Sequence, residues 1–288
     1  MEKLKALILL IVVASLGVAC KKHVIEFKSE PLAPNAAEFQ LHYFVPVVAG
    51  AANNITKIDL NGVTILEDAT TLSTYNAVPS GGVGRFYATN PGVANLKLYR
   101  GPSKELVYDQ DITFREGKQN IFVYDFSKPP IIINNGYPYP GVVTDTTAKS
   151  SWIRFYNFLF ESGNTPTPLR LQYQYQYNMD PGVTDQRSEW LNVGNPVAFG
   201  EATDWIEVPV IKHPNNYISG GTERIDYRIR VIGADGTDLG PLQVLNSSNV
   251  MVDYSDWWNA TIGRCAHHIL GGYRVTTPIS SVRLFYAR

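Results

Sequence analysis

The chain has 288 residues, a formal charge of −1, and 44% hydrophobic and 12% aromatic residues. The balanced charge gives no electrostatic basis for binding nucleic acid, and the length suits one or two globular domains. With 17 tyrosines, 23 glycines and 18 prolines, and few stretches of helical period, the composition favours β structure.

Lys3 and Lys5 precede an uncharged run from Ala6 to Ala19. As a helix that run would reach about 21 Å, short of the ~30 Å hydrocarbon core, which favours a secretory signal over a membrane span. Gly17, Val18 and Ala19 then run into Cys20. This stretch resembles the bacterial lipobox, whose cysteine is diacylated and becomes the first residue. Gly17 stands where that pattern prefers leucine, with Leu16 one step further out. The resemblance implies a lipid anchor at Cys20; the alternative is plain signal cleavage after Ala19, which leaves a thiol. The expected order is a signal peptide over 1–19 and a lipid-anchored tether over 20–37. Lys21 is unlike the aspartate of inner-membrane retention, so the outer membrane is the expected location. The sequence leaves the leaflet open, periplasmic or surface-facing. With Cys20 acylated, Cys265 has no intramolecular disulfide partner, and stability must come from ordinary cores.

Beyond the tether, Phe39, Leu41, Tyr43 and Val45 alternate with Gln40 and His42, the pattern of a half-buried strand. Asn61-Gly62 sits between two β-prone runs, a strong hairpin signal because both turn positions need positive φ. Further short runs, "VGRFYAT", "ANLKLYR", "ELVYDQDITF" and "QNIFVYDF", are separated by turn residues, as in a β-sandwich over 38–128. The proline-, glycine- and threonine-rich stretch over 129–150 reads as a linker. A second, enlarged sandwich is expected over 151–288. In it, Leu169, Leu171, Tyr173, Tyr175 and Tyr177 share one face of a strand, and Arg170, Gln172, Gln174 and Gln176 the other. The tyrosines are either an exposed platform or a core stripe with hydroxyls at the sheet rim. A hairpin is expected at Asp235-Gly236, and "SSVRLFYAR" closes the chain as a strand.

The halves also resemble each other. "EFQLHYFVPV" can be set against "SWIRFYNFLF", and "EGKQNIFVYDF" against "IGRCAHHILGG". Together with the opening strand Ile153, Arg154, Phe155, Tyr156 and Asn157, and with the tyrosine before a small-residue turn in "STYNAVPSGG", the chain resembles a known group. These are the Bacteroidetes-type envelope lipoproteins with tandem immunoglobulin-like domains of unknown function. The resemblance implies an all-β fold of two tandem immunoglobulin-like sandwiches after a lipoprotein signal peptide, an envelope location, and no established reaction. Asp145 to Thr147 resembles the short O-glycosylation motif of such bacteria.

Motifs for catalysis are missing: there is no G-x-S-x-G elbow, H-E-x-x-H, P-loop or G-x-G-x-x-G. No catalytic residue, metal ligand set or cofactor is therefore expected. Cys265, His267 and His268 form the sole soft-ligand cluster. On a strand, Cys265 and His267 share a face while His268 points away, so two ligands would lack a third, and a structural pair is the expected reading.

All five tryptophans lie in the second half. Tyr254, Asp256, Trp257, Trp258 and Asn259 form the candidate ligand-binding group, because neighbouring strand residues face opposite ways and both indoles cannot enter one core. An exposed indole beside carboxylates and amides would suit a sugar. The expected function is a non-enzymatic outer-membrane lipoprotein, held at the membrane through acylated Cys20, acting as an envelope structural or interaction module with protein or glycan partners. The alternative is a surface glycan-binding lipoprotein with its site in the second domain.

Overall fold

The computed structural model describes residues 33–79, 84–141, 149–179, 186–211 and 222–287. Cys20 with its leader and most of the tether, and also Asp145 to Thr147, lie outside the described residues. The fold is all-β, with no α-helix among the described residues.

The first half contributes β1 (Ala37–Tyr43), β2 (Ile55–Leu60), β3 (Val63–Leu72), β4 (Asn76–Val78), β5 (Tyr87–Thr89), β6 (Gly92–Arg100), β7 (Glu105–Phe114), β8 (Gly117–Val123) and β9 (Ile131–Asn134). One sheet runs β4-β1-β8-β9, with β5 also on β1; the other runs β3-β2-β6-β7. Their inner faces enclose a core that includes Leu41, Tyr43, Ile58, Leu98, Tyr108 and Ile121. The β2–β3 turn is Asn61-Gly62, at φ 50° and 77°, as the hairpin signal requires.

The second half contributes β10 (Ser150–Phe160), β11 (Arg170–Gln176), β12 (Leu191–Asn192), β13 (Ile206–Pro209), β14 (Thr222–Ile232), β15 (Asp238–Pro241), β16 (Gln243–Leu245), β17 (Met251–Asp253), β18 (Ser255–Thr261), β19 (Cys265–Tyr273) and β20 (Ser281–Tyr286). One sheet runs β13-β10-β19-β20; the other runs β12-β11-β14-β15, with β18 also on β14. Residues such as Leu171, Tyr173, Ile225, Ile229 and Trp258 fill the core between them.

The two halves share a topology. In each, the opening strand pairs in parallel with a late one, β1 with β8 and β10 with β19, while the other strand pairs are antiparallel. These four strands are the segments that the internal sequence similarity sets against one another. The halves differ along one edge. In the first, β7 follows β6 as a single strand of ten residues. In the second, β15 pairs Arg230–Ile232 and β18 pairs Thr222–Arg228 of the same strand, with the β16–β17 hairpin inserted between them.

A third cluster joins the sandwiches. Phe44, Tyr75 and Phe122 from the first half pack against Tyr156, Phe158, Ile269 and Phe285 from the second, with the Phe122 and Phe158 rings stacked at 4.2 Å. Residues Pro34–Arg288 thus form one compact unit. This junction corrects the half-buried reading of β1. Gln40 and His42, on the face expected to meet solvent, are 1% and 0% exposed, because the second half covers that face. The proline-rich segment also carries structure. Ile131–Asn134 pair with β8, and the backbone N–H of Asn135 continues the ladder to Lys118 O.

Candidate functional site

Strand β18 pairs with β14 in unbroken register, Ile225 opposite Trp258 and Asp226 opposite Trp257. Alternation along a strand therefore sends the two indoles to opposite faces of the sheet. Trp258 goes inward, 5% exposed, its ring edge-on to His268 at 4.7 Å. Trp257 goes outward and is 48% exposed. The candidate group splits accordingly. Trp257 and Asn259 share the outer face, whereas Asp256 and Trp258 belong to the inner one. Tyr254 is a core residue whose hydroxyl accepts the backbone N–H of Val282 at 2.8 Å. Asp256 braces the strand: its Oδ1 accepts the Trp257 N–H at 2.8 Å.

The outer face assembles residues distant in sequence. The Arg224 guanidinium lies 5.0 Å from the Trp257 ring centre, and its Nε donates to Asp226 Oδ1 at 2.7 Å. Arg187 reaches the other Asp226 oxygen at 3.1 Å. Arg228 donates to Gln174 Oε1 at 2.9 Å and stacks on Trp190 at 4.3 Å. Burial, with Arg230 nearby, lowers the Arg228 pKa from its usual range. Trp190 directly precedes β12, and its contact with Arg228 places it on the same outer face as Trp257.

This surface can hold a flat apolar ring face against indole while guanidinium and carboxamide donors meet hydroxyls along the row. The sequence reading missed Trp190, Arg224, Asp226 and Arg228. A signal for the last three was present, because "TERIDYRIR" alternates charged with apolar residues and so marks a polar outer face. By contrast, Tyr173 and Tyr175 are core residues, 0% and 4% exposed, with their hydroxyls on His268 Nδ1 at 3.0 Å and Glu207 O at 3.2 Å. They form no platform.

The Cys265–His267–His268 cluster divides as a strand should. His267 faces the junction. Asn135 Nδ2 donates to His267 Nε2 at 3.1 Å and to Asn120 Oδ1 at 3.0 Å, and the Tyr139 hydroxyl donates to Asn135 Oδ1. With Nε2 accepting, Nδ1 carries the proton and donates to Tyr156 Oη at 2.8 Å. Burial, with His42 and Arg154 nearby, holds the His267 pKa well below its usual value. Both ring nitrogens are thus used in a neutral network that ties β8, β10, β19 and the segment after β9 together. Among the described residues no group of three or more His, Cys, Asp or Glu is placed to hold a metal ion.

No family model matches the chain, and no curated protein matches it.

Proposed function

We propose that the protein is a non-enzymatic module of the outer membrane, anchored through acylated Cys20, which binds its partners with the outer face of the β12-β11-β14-β18 sheet. The ligand class that suits this face is a glycan chain. One observation carries the reading: Trp257 stands 48% exposed in the middle of a regular strand, with its sequence neighbour Trp258 buried. Monomeric proteins leave single apolar residues on their surfaces freely. Here, however, the same sheet face carries a second tryptophan, and an arginine guanidinium lies over each of the two rings. Rigid aromatic faces bordered by oriented hydrogen-bond donors lose little entropy on binding.

Acrylamide quenching of tryptophan fluorescence tests this. Trp257 is the most exposed of the five, so it dominates the quenchable signal. A polysaccharide that occupies the face is expected to protect it. Quenching that no polysaccharide in a broad panel alters would remove the glycan reading. The anchor rests on the run from Leu16 to Cys20. Cys20→Ala is expected to block processing or to release the protein in soluble form, and an intact mass showing unmodified Cys20 would contradict it.

A further inference from the structure

A second concave site lies at the junction, away from Trp257. Its walls come from four places: the chain after β1, the β3–β4 turn, the tip of the β16–β17 hairpin, and the β19–β20 turn with the start of β20. The cleft measures about 550 Å³, within the range of small-molecule sites. The hairpin that forms one wall is the insertion that the first half lacks, so this wall exists only because the halves differ.

The chemistry of the lining is one-sided. It holds the amides of Asn76, Asn246 and Asn249, hydroxyls, the apolar Ile279, a single cation in Arg283, and no carboxylate. Arg283 is exposed and makes no ion pair among the described residues; its guanidinium sits 5.8 Å from the Tyr75 ring centre. Asn246 Oδ1 is consumed by the backbone N–H groups of Ser248 and Val250, both at 2.9 Å, and its amide nitrogen is left as a donor.

Tyr75 supplies a second, independent observation. It is 7% exposed, lines the cleft, and its buried hydroxyl has Thr74 beside it as its nearest polar group. It also holds φ 59°, an uncommon conformation for a bulky residue, and the hydrogen bond from its N–H to Tyr43 O at 2.7 Å fixes it there. A bulky residue held at positive φ in the wall of a cleft is a feature of sites shaped for binding.

We propose that this cleft binds a small, hydroxyl-bearing anion, such as an acidic sugar, with its carboxylate or phosphate on Arg283 and its hydroxyls on the asparagine amides. A lone guanidinium in a cleft without carboxylates offers a charge-assisted, bidentate partner to either group. The inference is separate from the tryptophan face, since no residue is shared.

Calorimetric titration of the full chain in detergent with glucuronate, glucose 6-phosphate and glucose tests it. At least one of the two anions is expected to bind about tenfold or more tightly than glucose, and which of them does so identifies the acidic group. Arg283→Gln is expected to lose at least about tenfold of that affinity, whereas Trp257→Ala keeps it. Asn249→Gly provides a second variant, because glycine adopts the φ 58° of that position freely and only the amide is lost. It is expected to weaken binding with an unchanged melting temperature. Absence of binding by both anions at millimolar concentration would overturn the proposal. So would affinities in Arg283→Gln and Asn249→Gly equal to that of the wild type.

Discussion

The two halves are one topology used twice, and they part company on the outer face of a single sheet. In the first half the outer face of β2, β6 and β7 carries short ion pairs, Lys57–Asp59 at 3.0 Å and Lys97–Asp109 at 3.2 Å. Such pairs keep a sheet soluble and contribute little else. In the second half the corresponding face carries Trp190 and Trp257, each stacked with an arginine. The edge beside β14 is also rebuilt, since β15 and β18 share the place that β7 fills alone. A sandwich core tolerates this because inward positions keep their alternation while outward ones are free to change. In the proposed reading, recognition resides in side chains added to a scaffold, not in the scaffold itself.

The junction between the halves gives the largest effect that would sharpen this comparison. His42 in the first half and His267 in the second lie at this junction, His268 faces the core of the second half beside Trp258, and all three are buried; burial lowers their pKa values, His42 and His268 to about 3. The unfolded chain binds protons near pH 6.5 and the folded one does not. Stability is therefore fully present above pH 6.5 and falls as the pH drops from there towards 3. Each histidine withdraws up to about 1.4 kcal/mol per pH unit. Chemical denaturation across this range is expected to show a steep loss, with unfolding complete well before pH 3. A stability that stays flat from pH 6.5 to 4 would mean that these rings are hydrated in solution.

Next in size is the opposition of the two indoles. Trp258→Ala is expected to cost about 3–5 kcal/mol, because it empties core space between β14 and β19. Trp257→Ala is expected to stay within about 0.5 kcal/mol. Thermal melts of the two variants measure both, and equal large losses would break the assignment of the outer face to binding.

The polar network at the junction comes third. Asn135→Ala removes both donors to Asn120 and His267 and the acceptor for Tyr139, at an expected cost of about 1–3 kcal/mol. Urea unfolding detects it. An effect below 0.5 kcal/mol, on the order seen at surface sites, would show that water replaces the amide.

The smallest effect compares the hairpin turns of the two halves. Gly62 and Gly236 hold φ 77° and 87°, and an added Cβ at either would meet no atom within 4 Å. Gly→Ala there costs only backbone strain, about 1 kcal/mol at each position. A clearly larger loss at one of them would expose a contact specific to that half.

Much of this architecture was legible in the sequence. Short β-prone runs between turn residues gave β6, β7 and β8, alternation gave β11, and Asn61-Gly62 and Asp235-Gly236 gave two hairpins. The internal similarity matched β1 with β10 and β8 with β19, whereas the parallel pairing within each half comes from the structure. What escaped depends on contacts between distant segments. Gln40 and His42 read as solvent-facing because nothing local announces that a second sandwich covers them. Ile131–Asn134 was lost among prolines, since a four-residue strand gains its identity from β8 alongside it. The separation of Trp257 from Trp258 follows from strand geometry alone. By contrast, the placing of the Arg228–Trp190 and Arg224–Trp257 pairs on one sheet face needs the order β12-β11-β14-β18, which no local pattern encodes. Tyr254 was misplaced for a related reason: just before β18 the chain turns its ring inward to meet Tyr227 and the N–H of Val282.

The most direct test of the central claim is a glycan array probed side by side with wild-type protein and Trp257→Ala. The wild type is expected to retain at least one glycan class, and the variant to lose it while melting at the same temperature. Retention of the same glycans by Trp257→Ala, at undiminished signal, would contradict it.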